Sequence, residues 1–252
     1  MSKSLAELYN QEVYKRLNYH GTWSPSEQWH LGDILTIEKG TFTHKGENLI
    51  DYGVDFNIEE GEEKMDNSMS FSSTGTNETK IDASSDVTKV GKAQVKVSFS
   101  NEFGVLFKTK GYKISRILKQ GDVGDKIKAL YKKDPLRWKN RVVIMELVQV
   151  NSGTILISHE KNSSVTIEGK VEEGKELDIA DAKLGITSHS KKGAIVEYIA
   201  TRNLTPLLKL GRPAKAWFLG DVVVKHKSTD PVPEGVVEGI DFNQEIDLED
   251  LE

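Results

Sequence analysis

Apolar residues first recur along the chain at helical spacing. Leu5, Leu8, Tyr9, Val13 and Leu17 lie on one helical stripe, and Ser4 with Glu7 has the form of a capping box. A helix ending at Asn18 to Gly21 is expected, followed by Trp23 and Trp29, which suit a core edge or a membrane interface. From there strand signals dominate. Segments 36–42 and 49–58 are short candidates separated by Gly40 and Gly46, 59–66 is a charged loop, and 68–88 has too few large apolar residues for a core strand. Segment 92–100 alternates: Ala93, Val95, Val97 and Phe99 fall on one face, Lys92, Gln94, Lys96 and Ser98 on the other. Period-2 alternation of this kind marks a sheet with one wet face. Ser100-Asn101-Glu102 predicts a turn, after which Phe103, Val105 and Phe107 resume the alternation.

The pattern then turns helical. Ile114, Ile117 and Leu118 make one apolar face, Gly121 and Gly124 interrupt it, Val123, Ile127, Leu130 and Tyr131 make a second, and Pro135 stops it. The run 141–150, RVVIMELVQV, has the continuous apolar character of a strand buried on both faces. Asn151-Ser152-Gly153 predicts a hairpin turn back into 154–158. Beyond Val165 come Ala182, Leu184 and Ile186 in alternation, a strand over 193–201, an apolar turn of helix or loop over 204–210 and a last core strand over 216–225. The expected fold is α+β, a twisted, largely antiparallel sheet with helices packed on one side. No Pro/Gly/Ser-rich linker divides residues 1–227, which are expected to form one body.

Charge changes this picture at the C-terminus. No Lys or Arg follows Lys227, and residues 228–252 hold nine acids; removing those nine from the net charge of −5 leaves +4 for residues 1–227. An acidic tail on a mildly basic body follows, joined by a linker at Pro231 and Pro233. The 252-residue chain has no cysteine, which excludes disulfides, thiolate metal sites and cysteine nucleophiles. Its six histidines have no ligand-like spacing, and there is no nucleophile elbow and no Walker-type phosphate loop. Neither an enzyme nor a cofactor is expected. Met1 to Asn10 carries no apolar signal region, and no apolar run is long enough for a transmembrane helix, so a cytoplasmic location is expected. Residues 108–141 are strongly basic, with Tyr112, Tyr131 and Trp138 interleaved. That composition suits anionic lipid headgroups, nucleic acid or a solvated helix face.

The order of these elements resembles the gasdermin pore-forming domain. It is carried by the N-terminal helix, the alternating KAQVKVSFS and FGVLFK, the insert YKISRILKQ with KIKALYKK, the apolar strand RVVIMELVQV, and a second polar strand pair over 179–201. The length is similar to that of compact bacterial members, which carry a short inhibitory C-terminal segment. The resemblance implies a monomer that oligomerises, after cleavage by an activating protease, into a β-barrel pore in the inner membrane, in cell death and antiphage defence. It implies membrane insertion of Ala93, Val95, Val97, Phe99, Phe103, Val105 and Phe107. It implies contact with anionic lipid through Lys108, Lys110, Lys113, Arg116, Lys119, Lys126 and Lys128. Ile240, Phe242, Ile246 and Leu248 would dock the inhibitory tail, and Lys225, Lys227 and Thr229 lie in the linker to be cut. One departure stands out: bacterial gasdermins carry a lipid-accepting cysteine near the N-terminus, and this chain has none. The competing expectation is a binding module for nucleic acid or a protein, using the basic 108–141 region.

Overall fold

The computed structural model describes residues 3–81, 90–172, 176–181, 187–200, 204–215 and 222–225. The predicted first helix is α1, Leu5–Leu17; Ser4 Oγ accepts from the Glu7 amide and the Glu7 carboxylate accepts from the Ser4 amide, which completes the capping box. Asn18, left-handed at φ 56°, ends it. After it come β1 (His20–Gly21), β2 (Asp33–Glu38), β3 (Thr41–Asn48), β4 (Ile58–Glu60), β5 (Lys64–Ser72), β6 (Thr76–Ile81), β7 (Val90–Phe99) and β8 (Gly104–Ile117). Two helices, α2 (Gln120–Lys133) and α3 (Pro135–Trp138), precede β9 (Arg141–Ser158). The chain continues with β10 (Ser163–Glu172), β11 (Thr187–Lys192), β12 (Ile195–Ala200), β13 (Leu204–Lys215) and β14 (Val222–Lys225). The fold is α+β, and every strand pairing among the described residues is antiparallel.

The 18-residue β9 organises the larger sheet. On one edge it pairs with β2 and then with β8, on the other with β13 and then with β12. Its residues are buried almost throughout, as a continuous apolar run requires. Tyr9 and Val13 of α1 cover Val105, Phe107, Val148, Val150, Ile155 and Ile157. Val123 and Ile127 of α2 and Trp138 of α3 close a second core with Leu35, Val143, Ile144 and Met145. Glu146 is the charged side chain buried on β9; Tyr19 donates to it and Lys209 of β13 pairs with it at 3.1 Å. Lys209 Nζ also stands 4.7 Å over the Tyr19 ring, so the buried carboxylate is both neutralised and hydrogen-bonded.

Several elements differ from the sequence-based expectation. Asn151-Ser152-Gly153 is not a turn, and β9 runs straight through it. Val148 and Val150 share a core with Ile155 and Ile157, so the apolar alternation shifts by one residue across this tripeptide. Opposite it lies Gly111 of β8, at φ +63°. The expected helix at Ile114–Leu118 is the end of β8, where Ile114 pairs with Val148 and the ladder satisfies the backbone. The expected turn of helix or loop at 204–210 belongs to β13. Pro206 is tolerated there because the register with β9 shifts between Leu204 and Leu207, and its carbonyl accepts from Thr22. The expected strand at 49–58 begins instead as a 3-10 turn, Leu49–Tyr52, capped by Asn48 and Asp51. The charged loop and polar tract contain β4, β5 and β6, which serve as edge strands. Ala182, Leu184, Ile186 and residues 216–221 lie outside the described residues.

Candidate functional site

A second sheet of four strands, in the order β11-β10-β7-β6, lies against the first. Its order repeats that of four strands in the large sheet, β12-β9-β8-β5. Each small-sheet strand follows or precedes its large-sheet counterpart directly in the chain, through 73–75, 100–103, 159–162 and 193–194. All of these crossings gather at one end. There Phe99 is level with both Thr76 and Ser163, and Ser158 is level with both Gly104 and Ile195. The small sheet is thus a four-stranded ribbon folded back along one line.

The fold line is held by hydrogen bonds between neighbouring crossings. Ser73 exchanges bonds with Val105, through its amide at 2.9 Å and its hydroxyl at 2.8 Å. The Ser100 amide donates to Gly75 O at 2.9 Å, and Ala194 N donates to Glu160 Oε2 at 2.8 Å. Gly75 and Gly193 have φ of +83° and +84°, which an L side chain rarely adopts. At Gly104 an added Cβ would stand 2.4 Å from the Phe99 ring, so the strand can double back tightly there.

The core between the sheets contains Val95, Val97, Phe99, Val165, Ile167 and Val171 from the small sheet, with Ala93 partly buried at its edge, and Leu106 and Leu156 from the large one. β7 and β10 are in register over ten residues, from Phe99 with Ser163 to Val90 with Glu172. The apolar face belongs to these two central strands. On the β6 edge the residues level with Phe99, Val97 and Val95 are Thr76, Glu78 and Lys80.

The predicted inserting residues therefore divide between two cores. Ala93, Val95, Val97 and Phe99 belong to the intersheet core, whereas Phe103, Val105 and Phe107 pack in the core beneath α1. β7 and β8 do not pair as a hairpin: β7 pairs with β6 and β10, and β8 with β4, β5 and β9. Alternation alone cannot reveal this, because a chain that changes sheets keeps its period. The expected strand pair over 179–201 is divided in the same way, with β11 in the small sheet and β12 in the large one.

The basic residues are mostly occupied. Lys108 pairs with Glu78 at 2.7 Å, Lys110 with Asp181 at 3.0 Å and Asp178 at 3.5 Å, and Lys113 with Glu60 at 2.5 Å. Arg116 pairs with Glu59, Lys128 with Asp125 at 2.9 Å, and Lys126 donates to the Asp55 carbonyl at 3.2 Å. Lys119 sits exposed at the β8–α2 junction with φ +49°. Bonding to Asp181 holds the Lys110 ammonium's pKa above its ordinary value, and Lys113 holds the Glu60 carboxyl below its own. Apart from Asp125, which is on the same helix as Lys128, these acids come from parts of the chain distant in sequence, so sequence reasoning missed them.

A different basic surface stands at the tip formed by the end of α2 and by α3. Lys132, Lys133, Arg137 and Lys139 are exposed around Leu136, which is 88% exposed. Trp138, buried and edge-on to Tyr52 at 5.3 Å, anchors the tip. Glu47 accepts from Tyr52, Arg137 and Arg141; burial pushes its pKa up, but those bonds bring it below the ordinary value.

Backbone is described for Lys225 alone among the linker residues. Lys227, Thr229, Ile240, Phe242, Ile246 and Leu248 lie outside the described residues, as does the tail. Among the described residues no helix is long and apolar enough to cross a membrane, and no group of three or more His, Asp or Glu could hold a metal ion.

No family model and no curated protein matches the chain. Among solved structures, it is similar to the cryo-EM structure of the gasdermin A3 membrane pore. The two share 10% identity over 93% of this chain and 100% of that one, with a TM-score of 0.34.

Proposed function

We propose that the protein is a gasdermin-like pore former whose small sheet swings out along its fold line to enter a membrane. The observation that carries this reading is the shared strand order of the two sheets with every crossing at one end. Opening a sheet folded in this way needs no change of strand partner. It would turn β5–β6, β8–β7, β9–β10 and β12–β11 into four long strands with their pairings intact. The central strands β7 and β10 have ten residues each, close to the roughly 9–11 that a barrel strand needs to cross a bilayer. Their intersheet apolar face would then meet lipid and the opposite face a water-filled lumen.

In this reading copies of the chain assemble into a β-barrel in the inner membrane, and the inhibited form is a cytoplasmic monomer. The acidic tail holds the body inactive until an activating protease cuts near Lys225, Lys227 or Thr229. The biological setting is bacterial cell death in antiphage defence, and no catalysis is involved. The α2–α3 tip makes the first contact with anionic lipid, because Lys108, Lys110, Lys113 and Arg116 are engaged by carboxylates. The same engagement counts against a nucleic-acid or protein binding module built on those residues.

The test is to fasten the two sheets together. Glu78 and Lys108 meet across the intersheet gap, and the native chain has no cysteine to interfere. Glu78→Cys with Lys108→Cys, joined by a short cleavable thiol crosslinker, should abolish leakage from anionic liposomes by protease-trimmed protein. Cleaving the crosslinker should restore it. Undiminished leakage by the fully crosslinked protein would exclude the swing.

A further inference from the structure

Residues 176–181 lie in the connection between β10 and β11, away from the fold line. Leu177 and Ile179 are buried in the intersheet core. Leu177 rests on the β10 backbone at Gly169, where an added Cβ would stand 2.4 Å from Leu177 Cδ1. Glu176 reaches across the small sheet to Lys80 of β6. Other contacts from the same six residues go to the large sheet. Thr154 Oγ1 donates to Ile179 O at 2.5 Å and Ser152 Oγ to Ala180 O at 2.8 Å, both from the middle of β9. Lys110 of β8 bonds Asp181 and pairs with Asp178. The segment is shaped by its own turn, in which Asp178 accepts from Ala180 N through its side chain at 3.0 Å and from Asp181 N through its carbonyl at 2.9 Å.

These contacts explain Ser152 and Thr154 in the middle of β9; Asn151 beside them donates instead to Glu63 at 2.6 Å. Polar residues occupy the middle of an apolar strand because that is where a second piece of chain is bound. Ser152 and Thr154 are 2% and 0% exposed, so their hydroxyls would cost stability without the carbonyls of 179 and 180.

We infer that segment 176–181 is a latch between the two sheets, and that it must leave Lys110, Ser152 and Thr154 before the small sheet can swing away. This rests on the swing proposed above and assigns its control point. The latch stands well away from the fold line: Thr154 and Ser152 are four and six residues from Ser158, about 13–20 Å at the rise of a strand. A clasp at that distance restrains rotation better than one beside the hinge, since opening separates its partners further. The latch is mixed in chemistry: two carbonyl–hydroxyl bonds hold it on β9, and one lysine holds two aspartates on β8.

The test uses the full chain and reports opening through a single thiol. Val165→Cys places a probe at a position 0% exposed between the sheets, and Val143→Cys a control at a position 0% exposed in the core closed by α2. Lys110→Glu sets like charges against Asp178 and Asp181. It should speed thiol labelling at position 165 by roughly tenfold, the scale of a lost charge-assisted hydrogen bond, and leave labelling at 143 unchanged. Adding Asp181→Lys should return the rate towards the parent. Lys113→Glu breaks the comparable pair with Glu60 of β4, away from the latch, and should leave position 165 unchanged. Ser152→Ala with Thr154→Val, which alters no charge, should loosen position 165 selectively as well.

The latch is overturned if Lys110→Glu and Lys113→Glu label alike at 165, if Asp181→Lys fails to restore the rate, or if the β9 pair has no selective effect. Labelling needs no membrane, so the two readings can fail separately. A latch variant that opens in solution yet never permeabilises liposomes once trimmed keeps the latch and removes the pore. A chain that leaks through a swing insensitive to Lys110 does the reverse.

Discussion

His20 sits in β1 with 1% of its surface exposed, stacked on Tyr14 at 5.0 Å and with Nδ1 3.2 Å from Asn10 Oδ1. Burial pushes its pKa from 6.5 down to about 3. The unfolded chain therefore takes up this proton before the folded one does. His20 is neutral in both states above 6.5, so it gives no pH dependence there. Below 6.5 it favours unfolding by up to about 1.4 kcal/mol per pH unit, until the folded imidazole itself is protonated. Denaturant titrations at about pH 7.5 and about pH 5 should show the parent losing more stability than His20→Gln, even if the variant is weaker at the higher pH. Equal losses in the two proteins would show that His20 does not set the acid response.

Among the elements, β9 shows where the residue pattern is informative and where it fails. Its apolar half, 141–150, was legible because burial on both faces leaves no polar period. Segment 154–158 was legible as strand too, but its continuity with 141–150 was not, since Asn-Ser-Gly is favoured both in turns and wherever close backbone needs small polar partners. The capping box of α1 was legible because it is local. The end of β8 was not, because Ile114 and Ile117 fit a helical stripe, and only pairing with β9 selects the strand. The short α3 carries a separate prediction. Leu136 is 88% exposed, so Leu136→Ser should change melting temperature little. If the tip docks to lipid, the affinity of the trimmed protein for anionic vesicles, read by cosedimentation, should fall about tenfold or more, because one buried leucine contributes about 1.5–3 kcal/mol. Unaltered binding would move lipid contact elsewhere.

At the scale of the molecule, the fold class was legible and the two-sheet arrangement was not. Alternation gives the strands but not their partners, and Val97 and Val105 look alike in sequence while packing in different cores. The acids that occupy the basic residues were equally invisible, since Lys108 meets Glu78 and Arg116 meets Glu59 across long sequence separations. The tail is legible in charge alone. Removing residues 228–252 takes nine acids from the protein and should raise affinity for anionic vesicles. The gain should shrink above about 0.15 M salt, where the screening length is roughly 8 Å. Phe242→Ala with Ile246→Ala alters no charge and should activate partially if the tail docks through them. If truncated, folded protein gains neither binding nor leakage, the tail is not inhibitory.

The central place of β9 also constrains how the chain comes to be folded during synthesis. β2 and β8 are made well before residues 141–158, yet each has one of its strand partners there. α1 waits longer still, because Leu204 and Leu207 complete the surface that receives Tyr9 and Val13. β1 pairs at His20 with Leu208. While the ribosome works from α1 to β13, strand edges and the apolar stripe of the first helix stand open, a state prone to misassociation. A nascent chain of this topology leaves these surfaces uncovered until its last third emerges, and folding led by such distant pairings is slow.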